Sequence, residues 1–231
     1  MKFDVITLFP EMFSGPLSES IIKRAQEDKL IEINYHNLRD FATDKHKTVD
    51  DTPYGGGQGM VLKVDVMDAA LRQVKSHPSA KLGARKLKVK SKTRIILLTP
   101  QGKRLNQDKV RELAQKYNNL ILIAGHYEGF DERIREKLID EEISIGDFVL
   151  TGGELPAMIL VDAVSRMVPG VLAEGSADEE SFMQKDEDGK YLKEYPQYTK
   201  PVEYNGWTVP EILKSGNHKK IADWRNNMRK K

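Results

Sequence analysis

The sequence predicts an α/β protein with a largely parallel sheet, followed by a small helical appendage, and three observations carry that prediction. Ahead of residue 172, short apolar runs alternate with stretches of helical periodicity. That order is the signature of parallel strands joined by helical crossovers. A polar, acid-rich stretch from Glu174 to Glu194 then separates this part from a shorter one dense in Lys and Arg. The expected organisation is an α/β domain over 1–171, a flexible acidic linker over 172–194 and a basic helical domain over 195–231.

The elements follow in order. Met1 to Pro10 holds the short apolar run Val5–Leu8 and an acid at Asp4, so it reads as a first strand and not a signal peptide, and the mature chain is expected to begin here. Ile31–Tyr35 is the next strand-sized run. Met67, Ala70, Leu71 and Val74 fall at i, i+3, i+4, i+7 and predict a helix, as do Val110, Leu113, Ala114 and Tyr117, and Leu160, Ala163, Val164 and Met167. Ile95–Leu98, Leu120–Ala124 and Ile143–Leu150 supply the remaining strands. Past the linker, Thr208 before Pro210 marks a helix start, and Asn217 is placed to cap a second helix with Ile221, Trp224 and Met228 on one face.

Composition excludes several classes of function. With 231 residues, 39% hydrophobic and 31% charged, the chain can build a core and does not read as disordered. The absence of Cys removes disulfides, thiolate metal sites and thiol nucleophiles, and fits a reducing, cytoplasmic setting. No apolar run approaches the ~18 residues of a membrane span, so no membrane association is expected. The five His are scattered without metal-ligand spacing, so no protein-bound transition metal is expected. Charge nearly cancels in total, 37 Lys+Arg against 35 Asp+Glu, yet Lys75–Arg94 and Lys214–Lys231 form two basic clusters suited to a phosphate surface.

Open parallel sheets bind ligands in the loops beyond the carboxyl ends of their strands. Three such loops are rich in Gly and polar residues: Thr99-Pro100-Gln101-Gly102, Gly125 to Arg133, and Thr151-Gly152-Gly153-Glu154-Leu155-Pro156. Together they suit a polar small molecule, with bare backbone donors and carboxylates that can receive an amine or hydroxyls. The run Tyr54 to Met60 is glycine-rich but lacks the Gly-Lys-Ser/Thr ending of a phosphate loop and follows no strand, which leaves open a mobile loop, a backbone contact surface or a plain flexible turn. Arg166 ends a helix, where a cation suits the negative end of the dipole. Asp178, Glu179 and Glu180 read as a solvated linker face.

At these residues the chain resembles the bacterial tRNA (guanine-N1)-methyltransferases, which act on the guanine at tRNA position 37, immediately 3′ of the anticodon. The resemblance runs from Phe3–Pro10 through Leu38–Phe41 and Thr48–Met60, then the three loops, to Tyr198–Pro201 and Ser215–His218. It implies a fold with a deep trefoil knot, S-adenosylmethionine bent within it, and a homodimer with shared active sites. Positions matching the family's cofactor-binding residues are Leu98, Thr99, Pro100, Gly125, Tyr127, Glu128, Ser144, Ile145, Gly146, Phe148, Leu150, Gly152, Gly153 and Pro156. Arg166 matches the catalytic arginine. Where the family pattern has Asp before Ser-Phe, this chain has Glu180 before Ser181-Phe182, and Glu180 is the expected general base, with Asp178 as the fallback. Asp50, Tyr54, Gly56 and Gly59 match a loop near the target base, and Asn217 and His218 are taken with them as substrate-binding. The resemblance also implies a magnesium requirement, with Glu128 as a candidate neighbour, and tRNA phosphates as the target of the basic tail. The alternatives are a related enzyme acting on another RNA, a non-catalytic RNA-binding protein and an ordinary dinucleotide oxidoreductase. The missing Gly-x-Gly-x-x-Gly after the first strand speaks against the last.

Overall fold

A computed structural model describes residues 1–76 and 92–229, which form two compact units, Met1–Leu172 and Ala173–Lys231. Most of the basic segment Lys75–Arg94, together with Lys230 and Lys231, lies outside the described residues.

In the first unit β1 (Lys2–Thr7) is buried along its length and is followed by a short 3-10 turn, Pro10–Phe13, and by α1 (Ser20–Glu27). β2 (Glu32–Asn37) is a half-exposed edge strand, and the Asn37 side chain accepts from the Arg39 amide to open a second 3-10 turn, Leu38–Phe41. The two-residue strands β3 (Asp50–Asp51) and β4 (Val61–Leu62) flank the glycine run and lead into α2 (Val64–Ser76). β5 (Thr93–Arg104), α3 (Gln107–Lys116), β6 (Asn119–Ala124), α4 (Glu132–Lys137), β7 (Glu141–Ser144) and α5 (Glu154–Ser165) complete the unit. Asn106 and Asp131 cap α3 and α4 by accepting from the amides of Lys109 and Arg133.

Strands β1, β2, β5, β6 and β7 make one parallel sheet in the order β2-β1-β6-β5-β7. Alternate residues of its central strands face opposite layers. Phe3, Val5, Ile96, Leu98, Leu120 and Leu122 pack with α1, α3 and α5, whereas Ile6, Ile95, Leu97, Ile121 and Ile123 pack with α2 and α4. Burial on both faces is why these strands read as continuous apolar runs and not as alternating ones.

The strand expected over Ile143–Leu150 is corrected: β7 ends at Ser144. The Ser144 hydroxyl accepts from the Gly146 amide at 3.2 Å and donates to the Gly146 carbonyl at 2.9 Å, so the backbone closes a local turn in place of a ladder. β5 also departs from a simple strand. Ile143 is in register with Leu98 and again with Lys103, so the chain from 99 to 102 crosses β7 and continues along its other edge. The crossing is close: a Cβ on Gly102 would lie 2.5 Å from the Ile143 amide nitrogen.

A buried ion pair, Lys2 and Asp4, sits in this sheet. Asp4 is 1% exposed, 3.0 Å from Lys2 Nζ and 2.9 Å from His36 Nε2. Burial alone would raise its pKa, but the hydrogen bonds from His36 and Lys2 and their charge outweigh it and hold the carboxyl below its usual range.

In the second unit residues 182–192 fold back on themselves, with the Phe182 amide donating to the Leu192 carbonyl and the Leu192 amide to the Gln184 carbonyl. β8 (Glu203–Tyr204) and β9 (Trp207–Thr208) form a hairpin through Asn205 and Gly206, both at positive φ, the geometry of a type I′ turn. α6 (Glu211–Lys214) and α7 (His218–Arg229) follow. Thr208 does not start the first helix as expected: it ends β9, and α6 opens after Pro210 without a side-chain cap. Asn217 does cap α7, accepting from the Lys220 amide at 3.1 Å.

Two outcomes follow for stability. Gly102→Ala is expected to destabilise the first unit by about 1–3 kcal/mol, because the methyl group meets β7 backbone that cannot rotate away; thermal or urea unfolding reads this directly. Asp4, with its folded pKa lowered, stabilises the fold above its unfolded pKa and loses that contribution as pH falls through the folded value. The difference in unfolding free energy between wild type and Asp4→Asn should therefore narrow below about pH 4.

Candidate active site

The middle of β5 from Leu98 and the carboxyl ends of β6 and β7 open onto a cavity of about 480 Å³. Its walls are the crossing segment after Leu98, the loop Gly125–Phe130, the turn after Ser144 and the Thr151–Gly153 approach to α5. Each of the fourteen positions from Leu98 to Pro156 that match cofactor-binding residues lines it. The cavity also takes in Gln101, His126, Phe130 and Arg135, which motif matching did not single out. The first three stand inside flagged loops, so their place was readable from position. Arg135, inside α4, carried no such signal; it donates to Thr99 Oγ1 at 3.0 Å and lies 3.3 Å from Glu142, which ties α4 to the crossing segment and to β7.

Two devices bring the loops together. The first is backbone contact: the Gly153 amide donates to the Gly125 carbonyl at 2.8 Å, and a Cβ on Gly153 would lie 2.7 Å from the Gly125 nitrogen. Any side chain there would force the second and third loops apart. The second is Glu154, the first residue of α5 and 1% exposed. Its Oε1 accepts from the Thr7 hydroxyl at 2.6 Å, and its Oε2 pairs with His126 Nε2 at 2.7 Å. Thr7 Oγ1 in turn accepts from the Phe9 amide, and the Phe9 ring meets His126 edge-on with centroids 4.7 Å apart. One carboxylate thus ties the end of β1, the second loop and the start of α5 to each other.

The glycine run, left open by sequence, is attached to this site. Gly59 packs on the Glu128 side chain, the Glu128 amide donates to Met60 O at 3.0 Å, and Leu62 and Gly129 are likewise bonded. Gly56 and Gly59 adopt positive φ, Tyr54 is exposed and Asp50 lies in β3. Arg166 caps the carboxyl end of α5 and is half-buried; it is not among the residues lining the cavity. Glu180, Asp178, Asn217 and His218 belong to the second unit, where Glu180 sits in a turn whose amide donates to the Ala177 carbonyl. No three His, Cys, Asp or Glu side chains converge as a metal site among the described residues. No helix among them is long and apolar enough to cross a membrane.

A five-stranded parallel sheet with a glycine-walled cavity past its strand ends defines an α/β protein built around a small-molecule site. Comparison with known proteins makes this specific. The family tRNA (Guanine-1)-methyltransferase TrmD matches residues 1–231, and the chain belongs to that family of methyltransferase enzymes. Curated relatives named tRNA (guanine-N(1)-)-methyltransferase include those of Geobacter sulfurreducens, 54% identical over 226 residues, and Geotalea uraniireducens, 55% identical over 226 residues. Both alignments cover 97% of this chain and 84% of the relative. The relative from Chloroflexus aggregans is 52% identical over 231 residues, 99% of this chain and 83% of its own. The oxidoreductase alternative falls with these matches.

Glu154→Ala should cost about 1–3 kcal/mol of stability by urea unfolding, since Thr7 and His126 then lose a buried partner, whereas Glu154→Gln should cost less.

Proposed function

We propose that the protein transfers a methyl group from S-adenosylmethionine to N1 of the guanine at tRNA position 37. The observation that carries this reading is the convergence of all fourteen matched positions on one cavity. Its volume is within the range of small-molecule sites, and its glycine-rich walls let backbone amides reach the polar atoms of a folded cofactor. S-adenosylmethionine, when bound, supplies an electrophilic methyl on a sulfonium centre. The trefoil knot implied by the family is supported by the passage of residues 99–102 across β7, the kind of crossing that threading needs.

Guanine N1 is poorly nucleophilic while it holds its proton. Glu180 is proposed to remove that proton, a role contributing about 10²- to 10⁴-fold. As the proton leaves, negative charge builds on guanine O6, and Arg166 is proposed to stabilise it. Family members share active sites across a homodimer, and we propose the same here. α5 favours a partner copy: it is apolar nearly all round, and Leu155 and Ile159, one turn apart, remain 49% and 46% exposed. We divide the labour between a cofactor domain over 1–171 and a tRNA-binding domain over 195–231 joined by the acidic stretch 172–194. Lys214, Lys219, Lys220 and Arg225 on α6 and α7 are exposed and suited to phosphates, in the cytoplasm where tRNA is matured. The carboxylates of the described residues do not form a magnesium cage, so no step is assigned to that ion.

The test is labelled methyl transfer to unmodified tRNA carrying guanine at position 37, beside a matched tRNA with adenine there. The expected outcome is transfer to N1 of the first tRNA alone, with the rate for Glu180→Ala reduced at least ~100-fold. Transfer confined to ribosomal RNA would move the substrate to another RNA. Retained tRNA binding with no S-adenosylmethionine binding by calorimetry would leave a binding protein without catalysis.

A further inference from the structure

Arg229 occupies the last turn of α7 and is 7% exposed, with Nε buried and without a hydrogen-bond partner among the described residues. The partners of its two Nη atoms lie between Glu179 and Tyr195. Nη1 donates to Gln184 Oε1 at 3.1 Å, Nη2 lies 3.3 Å from Glu179 Oε2, and the guanidinium carbon stands 5.3 Å from the centroid of the Tyr195 ring. The Tyr195 hydroxyl donates to the same Glu179 oxygen at 3.2 Å, and Arg225, one turn earlier on α7, lies over the same ring at 4.8 Å. Gln184 closes the arrangement by donating from Nε2 to the Asp178 carbonyl at 2.9 Å.

Asp178 and Gln184 bracket Glu180, so both ends of the turn that carries Glu180 are held through one side chain of a distant helix. The backbone of that turn has short-range bonds of its own, Glu180 N to Ala177 O and Met183 N to Glu180 O, each 3.2 Å. The Phe182 amide donating to the Leu192 carbonyl at 2.8 Å and the Glu194 amide donating to Ser181 Oγ at 2.9 Å tie its far side to residues 192–194 of the same segment. Arg229 adds the tie to α7. Its burial also separates it from Lys219 and Lys220, which are exposed on the same helix and free to meet phosphates. A guanidinium buried against Gln184, Glu179 and Tyr195 presents little surface to RNA.

We infer that Arg229, with Tyr195 and Gln184, positions the Glu180 turn, so that the carboxyl-terminal helix sets the placement of the base. This rests on the reading of Glu180 as the base and extends it. The substitution of Glu for the family's Asp makes anchoring matter more: the extra methylene adds a rotatable bond, and an unanchored turn would leave the carboxylate spread over many positions. Arg229 touches no reacting atom and is a positioning residue.

The test uses the full-length protein with saturating S-adenosylmethionine and unmodified tRNA carrying guanine at position 37. Arg229→Met should lower kcat by about 10- to 100-fold, the scale of a small misplacement of a reacting group. The KM for tRNA and the affinity for S-adenosylmethionine should stay within about twofold of wild type. The log–log salt dependence of tRNA binding should not change. A raised KM for tRNA, a salt slope reduced by about 0.7–0.9 and an unchanged kcat would instead make Arg229 a phosphate contact and overturn the inference. Should Arg229→Met lower the melting temperature, Tyr195→Phe decides: it keeps the ring and loses only the bond to Glu179, so its kcat should fall with binding intact, and a wild-type kcat would overturn the positioning role. Wild-type kcat in Glu180→Gln would remove the base assignment itself. An inactive Glu180→Gln beside a fully active Arg229→Met would remove the positioning role alone.

Discussion

Where residues 99–102 pass across β7, two backbones come within the distance of a single missing methyl group, and the rest of the first unit is arranged around that passage. Because Gly102 has no Cβ, β5 can leave one edge of β7 at Leu98 and resume on the other at Lys103. The crossing segment then stands as a wall over the carboxyl ends of the strands, opposite the loop after β6. β7 is thereby held by pairing on both edges, although it is only four residues long. A short strand at the rim of an open sheet would ordinarily be exposed and readily frayed. Here it is a fixed floor for the turn at Ser144–Gly146, which forms the third wall.

A cavity built from three loops needs more than proximity, since each loop alone is free to open. Glu154 supplies the common tie. Buried beside Thr7 and His126, it converts the order of β1, the mobility of the second loop and the start of α5 into one equilibrium, because releasing any of the three leaves a polar group without its partner. The glycine run joins the same system through the bonds of Met60 and Leu62 to the second loop. Tyr54, exposed beyond that anchor, is therefore carried by a loop whose root is fixed to the cavity wall.

Sequence legibility follows from the range of the forces involved. The parallel sheet was readable because strands buried on both faces must be apolar throughout, as Ile95–Leu98 and Leu120–Ala124 are. Asn217 was readable because capping is local. The end of β7 was not, since Ile145 continues the apolar run and it is the hydroxyl of Ser144, bonding across two residues, that stops the ladder. Nor was the helix start at Thr208, because the Asn205-Gly206 turn claims that residue for a hairpin. The cavity walls were legible as glycine-rich loops past strand ends. What no local pattern held was the crossing of β7, the Arg135 bridge and the buried Glu154, each of which depends on residues far apart in sequence. The contacts of Glu154 span 147 positions to Thr7 and 28 to His126.

The two units are stabilised by different means, and the difference bears on their roles. The first unit has extensive apolar clusters on both faces of its sheet, and their close packing fixes the strands from which the cavity loops spring. In the second, no large apolar side chain among the described residues is fully buried, and Ile221, Trp224 and Met228 are half-covered. Its order rests on polar and cation–aromatic contacts, which are individually modest and directional. Such contacts suit the tRNA-binding role proposed for this unit, because they can be exchanged for new ones at small net cost, whereas an apolar core cannot be opened locally. The same softness would leave the turn that carries Glu180, the proposed base, poorly placed. That is why the buried position of Arg229 carries weight: it is the point in the second unit where a charge has been withdrawn from solvent and committed to holding one segment in place.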